Sequence, residues 1–195
     1  SDKFKYYNEY GGFSEDGKEY LIRASRENRL PTVWSHIMAN KKFGTLVTEN
    51  MGGYTWYKNS RLNRITAWSN DQVLDTPSEI IYAKDMDTGR KWSLGFNPMP
   101  DNNDYFVVYG FGYAKYIHSS SRIRQTVDMF VPESDNIKVN LITIENKNPQ
   151  RKNLKLIYYI KPVLGEDEIK SNGFLQLEMN NASNIMLVKN LSDEK

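Results

Sequence analysis

Hydrophobic and polar residues alternate most clearly over Ile123–Val131. There Ile123, Gln125, Val127, Met129 and Val131 form one face, and Arg124, Thr126, Asp128 and Phe130 form the other. A period of two predicts a β-strand. Ile137–Glu145 and Leu154–Val163 are two more long runs rich in β-branched and aromatic residues. The polar stretch Asn146–Asn153, with Pro149, lies between them, so the pair reads as a long hairpin. Shorter strands are expected at Tyr20–Ile22, Thr45–Thr48, Tyr54–Tyr57, Ile80–Lys84, Tyr105–Tyr109, Tyr113–Ser119, Phe174–Met179 and Ile185–Val188. No stretch carries a convincing helical period. Val33–Lys42 comes nearest, but Pro31 precedes it and it spans fewer than three weakly periodic turns.

About a dozen strands separated by turn signals predict an all-β fold, a large antiparallel β-sandwich. No internal repeat or low-complexity tract divides the chain, and the longest charge run is Glu166-Asp167-Glu168. One β-sandwich domain, or most of one, is therefore expected over residues 1–195. A chain of 195 residues buries about 70% of the surface it exposes when unfolded, enough to fold without a metal or disulfide staple.

Composition narrows the chemistry. The absence of cysteine excludes a disulfide framework, a Cys-zinc site and a cysteine nucleophile. With 26 Lys and Arg against 24 Asp and Glu, the charge is too balanced for a grip on nucleic-acid backbones, and no nucleic-acid partner is expected. No apolar run reaches membrane-spanning length, so no membrane partner is expected and the setting is read as cytoplasmic. The two histidines, His36 and His118, lack the spacing of a metal site or nucleophile-base pair, and His118 reads as structural. Glu15, Asp16, Glu79, Asp104 and Asp128 read as surface or turn residues. Asp85-Met86-Asp87-Thr88-Gly89 begins like a calcium loop. Arg90 and Phe96 occupy the positions where that loop needs Gly and Glu, so the segment reads as the turn of a hairpin joining Ile80–Lys84 to Lys91–Ser93. No metal is expected.

The chain is rich in aromatics, with 13 Tyr, 8 Phe and 4 Trp. They are densest between Gly52 and Asp71, where Tyr54, Trp56, Tyr57 and Trp68 mix with Asn59, Arg61, Asn63, Arg64, Asn70 and Asp71. Aromatic faces pack on the apolar C–H faces of sugars, and planar amides, carboxylates and guanidinium groups match paired hydroxyls. The same residues also suit a sandwich interior and a loop that satisfies its own backbone, so both readings stand on pattern alone.

Longer blocks carry a resemblance. Tyr10-Gly11-Gly12-Phe13 through Tyr20, Pro31-Thr32-Val33-Trp34-Ser35-His36 and Phe43-Gly44-Thr45-Leu46-Val47-Thr48-Glu49 resemble the opening of the inverting phosphorylases of glycoside hydrolase family 94. The resemblance continues through Gly53–Trp56, Asn59–Arg64, Trp68–Asp71, Ile81–Asp85 and Thr88–Ser93, with a weaker echo at Val163–Gly165. It covers roughly residues 8–165. Within the family, Asn59-Ser60-Arg61-Leu62-Asn63-Arg64 and Trp68-Ser69-Asn70-Asp71 are most similar to the branch of 1,2-β-oligoglucan phosphorylases and cyclic β-1,2-glucan synthases.

The resemblance implies a galactose-mutarotase-like super-sandwich, incomplete in this chain, preceding an (α/α)6 barrel that the chain does not contain. In such enzymes inorganic phosphate, as co-substrate, attacks the anomeric carbon with inversion, and a barrel Asp protonates the leaving oxygen. No catalytic residue is therefore expected here, and no metal or organic cofactor is implied. The expected partners are a β-glucan oligosaccharide, the remainder of the parent enzyme and a second copy in a homodimer. Arg61, Asn63, Trp68, Asn70 and Asp71 are the expected substrate-binding residues, on the rim of the substrate site. A free-standing carbohydrate-binding module and a structural oligomerisation domain are the rival readings.

Overall fold

The computed structural model describes residues 4–193. The chain runs through β1 (Gly11–Phe13), β2 (Glu19–Ala24), β3 (Ser35–Ala39), β4 (Phe43–Thr48), β5 (Gly53–Tyr57), β6 (Arg64–Thr66), β7 (Glu79–Asp85) and β8 (Lys91–Ser93). It continues through β9 (Tyr105–Gly110), β10 (Tyr113–Ser120), β11 (Ile123–Phe130), β12 (Val139–Asn146), β13 (Leu154–Ile160) and β14 (Pro162–Gly165). A one-turn helix, α1 (Glu168–Ser171), precedes β15 (Leu175–Asn180) and β16 (Ile185–Asn190). No helix among the described residues is long and apolar enough to cross a membrane.

One layer is a six-stranded antiparallel sheet in the order β1-β2-β9-β10-β11-β12. Facing it are a five-stranded sheet, β14-β6-β5-β4-β3, and a three-stranded sheet, β13-β7-β8. Alternation in β11 places Ile123, Gln125, Val127 and Met129 inside, as its sequence predicts. Ile22, Val107 and Val127 meet Met38, Val47, Ile81 and Trp92 in one apolar core. Gln125 is tolerated there because Trp92 Nε1 donates to its Oε1 at 2.7 Å and its Nε2 donates to the Leu94 carbonyl at 2.8 Å.

The expected hairpin of Ile137–Glu145 with Leu154–Val163 does not form. β12 pairs with β11, whereas β13 pairs with β7 in the other layer. The eight-residue polar loop is long enough to cross between stacked sheets, about 10 Å apart, so the two strands join different layers. The second run also divides at Lys161. Its first part completes the three-stranded sheet, and its second, β14, pairs with β6 in the five-stranded one. Val33–Lys42 holds β3 and the start of its turn into β4, where Asn40 Oδ1 accepts from the N–H groups of Lys42 and Phe43. The Asp85–Gly89 segment is the expected hairpin turn. Asp85 Oδ1 accepts from the N–H groups of Asp87 and Thr88, and its other oxygen meets Lys152 at 3.1 Å.

Glu79, read from sequence as a surface or turn residue, is instead buried. Thr55 and Thr66 donate to its Oε1 at 2.6 and 2.9 Å, and Lys138 and Tyr158 donate to its Oε2 at 2.6 and 2.8 Å. These four partners come from β5, β6, the lead-in to β12 and β13, so one carboxylate ties both layers together. His118 is structural, as expected. Its ring stacks on Tyr105 with centroids 3.8 Å apart, and Nδ1 and Nε2 lie 2.9 and 3.2 Å from the Asp104 carbonyl and Asp101 Oδ2.

Candidate functional site

The segment from β5 to β7 makes two separate turns. At the first, Asn59 Oδ1 accepts from the backbone N–H groups of Arg61 and Leu62 at 2.9 and 2.8 Å, and Asn63 donates to the Asn59 carbonyl at 3.1 Å. This side-chain-to-backbone closure holds Arg61 and Asn63 on an exposed tip. Arg64, the first residue of β6, lies over the rings of Tyr54 and Trp68, with its guanidinium carbon 5.6 and 5.8 Å from the two centroids.

The second turn follows β6. Trp68 stacks on Tyr54 with centroids 4.6 Å apart and planes at 13°. Asn70 takes a left-handed conformation, φ 51°, which Asn tolerates better than most residues. Asp71 Oδ1 accepts from the N–H groups of Val73 and Leu74, and these bonds hold its carboxyl below the usual carboxylate range. Trp68, Asn70 and Asp71 line a small cavity of 60 Å³ with Val33, Ser35 and Thr48. Arg61 and Asn63 lie at the other end of β6. Five residues grouped by sequence are thus placed three and two, at opposite ends of one strand.

The sequence reading missed the residues that complete the site. A larger cleft of 220 Å³ lies beside the first, lined by Arg29, Glu49, Asn50, Gln72 and Phe96. Arg29 lies over the Phe96 ring at 5.4 Å, and Thr32 donates to Gln72 Oε1 at 3.1 Å. Between the cavities, Asn50 Nδ2 donates to Glu49 Oε1 at 3.0 Å and to Asp75 Oδ2 at 2.9 Å, while Thr48 Oγ1 donates to Asp75 Oδ2 at 2.6 Å. Burial pushes the Glu49 carboxyl up to about 7. The Trp34 N–H bond opposes that shift, and the nearby Asp75 charge adds to it. Gly52 permits this close approach, since a Cβ there would sit 2.9 Å from both Asp75 Oδ1 and Thr48 Oγ1. Gln72 and Asp75 could have been found as continuations of Trp68–Asp71. Arg29 and Phe96 are brought in only by folding.

The arrangement offers an aromatic face, a guanidinium, two amides and carboxylates around an open cleft. Against known families, residues 18–195 match the family model described as glycosyl hydrolase 94, supersandwich domain. The chain belongs to glycosyl hydrolase family 94. Its supersandwich is 32% identical over 155 residues to the N,N'-diacetylchitobiose phosphorylase of Vibrio furnissii, an alignment covering 78% of this chain and 19% of that protein. It is 26% identical over 186 residues to the cyclic beta-(1,2)-glucan synthase NdvB of Rhizobium meliloti (strain 1021), covering 95% of this chain and 7% of that protein. A 3-O-beta-D-glucopyranosyl-beta-D-glucuronide phosphorylase of Paenibacillus borealis is 22% identical over 148 residues, covering 75% and 18%. The chain therefore spans less than a fifth of the length of these family 94 relatives.

Proposed function

We propose that this supersandwich serves an inverting phosphorylase that acts on β-glucan with inorganic phosphate, releasing α-glucose 1-phosphate, and that it forms the rim of the substrate site. In this reading the general acid lies in another part of the parent enzyme, the setting is cytoplasmic, and no metal or organic cofactor takes part. The observation that carries the sugar-binding role is the double cleft beside Trp68–Asp75, where Arg29, Asn50 and Gln72 line one part with Phe96 and Asn70 lines the other with Trp68. Arg61 and Asn63, on their exposed tip, are the second contact offered to substrate.

A role within a larger assembly is supported by the uncovered apolar surface of the last third of the chain. Leu141, Leu156, Ile157, Leu177, Met179 and Met186 are all exposed. The β15–β16 pair is a two-stranded sheet, and an isolated hairpin of that kind is marginal in water. This favours docking on the remainder of the parent enzyme over a free-standing binding module. The test is calorimetric titration of the chain with linear β-1,2- and β-1,4-gluco-oligosaccharides. Millimolar binding that Gln72→Ala or Arg29→Ala weakens about tenfold is expected, and failure of every β-glucan to bind overturns the rim reading.

A further inference from the structure

A larger cavity lies on the other side of β3. It measures 370 Å³ and opens where β2 and β9 of the six-stranded sheet part from β3, the edge of the five-stranded sheet. This volume falls in the range of small-ligand sites. Its walls are Phe13, Tyr20, Trp34, His36 and Tyr109, with Phe111 at the mouth. The rings are interlocked. Phe13 meets Tyr20 edge-on at 4.8 Å, Tyr20 meets Trp34 at 5.8 Å, and His36 stacks on Tyr109 at 4.9 Å. Phe111 sits in the two-residue turn between β9 and β10 and is 84% exposed, while Phe13 is 41% exposed.

The polar groups at the cavity are few and balanced. Lys18 and Glu19 place one cation and one anion on it, and Ser35 adds a hydroxyl. Tyr113 donates to Glu19 Oε1, and the only ion pair of Lys18 among the described residues is a loose one of 3.8 Å to Asp16. Aromatic walls with one cation, one anion and a few neutral polar groups suit a neutral, polyhydroxylated ligand better than an anion or a cation. Trp34 and His36 line this cavity, and Val33 lines the Trp68 cavity. Ser35 lines both.

We infer that the aromatic cavity is a second carbohydrate subsite, which holds the distal units of a glucan whose other end lies beside Trp68–Asp75, the chain crossing the open edge of β3 at Ser35. This rests on the sugar-binding role proposed above and adds to it a preference for longer chains. The edge strand keeps one side unpaired, so it offers backbone N–H and C=O groups to hydroxyls along that path.

The test compares disaccharide and pentasaccharide of the β-1,2 and β-1,4 series by calorimetry on the chain. At least a tenfold gain in affinity with length is expected. Phe111→Ala and Phe13→Ala should remove that gain and leave disaccharide affinity unchanged. Phe111→Ala should not move the melting temperature, because its ring is exposed. Gln72→Ala should weaken both lengths equally. Absence of any gain with length, or a gain that survives both phenylalanine substitutions, overturns the subsite. If Gln72→Ala leaves both affinities untouched while Phe111→Ala removes the gain, the aromatic cavity stands and the rim reading falls.

Discussion

The indole of Trp68 lies parallel to the ring of Tyr54, 4.6 Å between centroids, and the Arg64 guanidinium lies over both. One face of Trp68 is thus committed to the sandwich, and the residue holds its loop in place as well as lining a cavity. Trp68→Ala should therefore cost about 2 kcal/mol of stability, from lost burial and lost ring contact. Trp68→Phe should recover most of it. Chemical denaturation of the two variants checks this, and a melting temperature unchanged in Trp68→Ala would show that the stack contributes nothing.

Glu79 is a buried carboxylate with four donors. Burial by itself would raise its carboxyl, but the Lys138 ammonium and the hydroxyls of Thr55 and Tyr158 overcome that and hold it down at about 2, against an ordinary 4.5. Because the folded value is depressed, its stabilisation is complete above the unfolded value and is lost as pH falls from about 4.5 towards 2. Urea midpoints should drop through that window in the natural chain and drop less in Glu79→Gln. Lys138→Met, which leaves the carboxylate buried without its cation, should cost about 3 kcal/mol at pH 7. A loss below about 1 kcal/mol would show that the hydroxyls alone suffice.

Glu49 behaves in the opposite sense. Its folded value is raised to about 7 from 4.5, so its contribution is fully present below the unfolded value and is lost as pH rises towards 7. Glu49→Gln should flatten the stability profile between pH 4.5 and 7 and leave the acid limb governed by Glu79 in place. A profile identical to that of the natural chain over this range would place the titration elsewhere.

The chain by itself should release no glucose 1-phosphate from any β-glucan in the presence of phosphate, because the proposed general acid is not among its residues. A coupled assay for glucose 1-phosphate reads this directly. Steady turnover that scales with chain concentration would require a catalytic carboxyl within residues 1–195.

Most of the strands, the hairpin turn at Asp85–Gly89 and the family blocks were legible in the sequence, because they rest on local causes, whereas the short strands β1, β3 and β6 were not read. Alternation assigns residues such as Ile123, Val127 and Met129 to one face, and Asp and Gly close tight turns wherever they occur. Which strand pairs with which is a long-range matter. The apolar faces of Ile137–Glu145 and Leu154–Val163 fit a hairpin and two separate layers equally well on pattern, and only packing against β11 and β7 chose the layers. Tertiary structure likewise turned Glu79 inward and parted Arg61 and Asn63 from Trp68, Asn70 and Asp71, since strand β6 carries the two turns to opposite ends. It also brought Arg29 and Phe96 beside Gln72 from distant loops. The sequence by itself determined the all-β class and the family to which the chain belongs. The clefts exist only once distant segments are folded together, because a cavity is a property of which surfaces face each other, and no local pattern of residues encodes that.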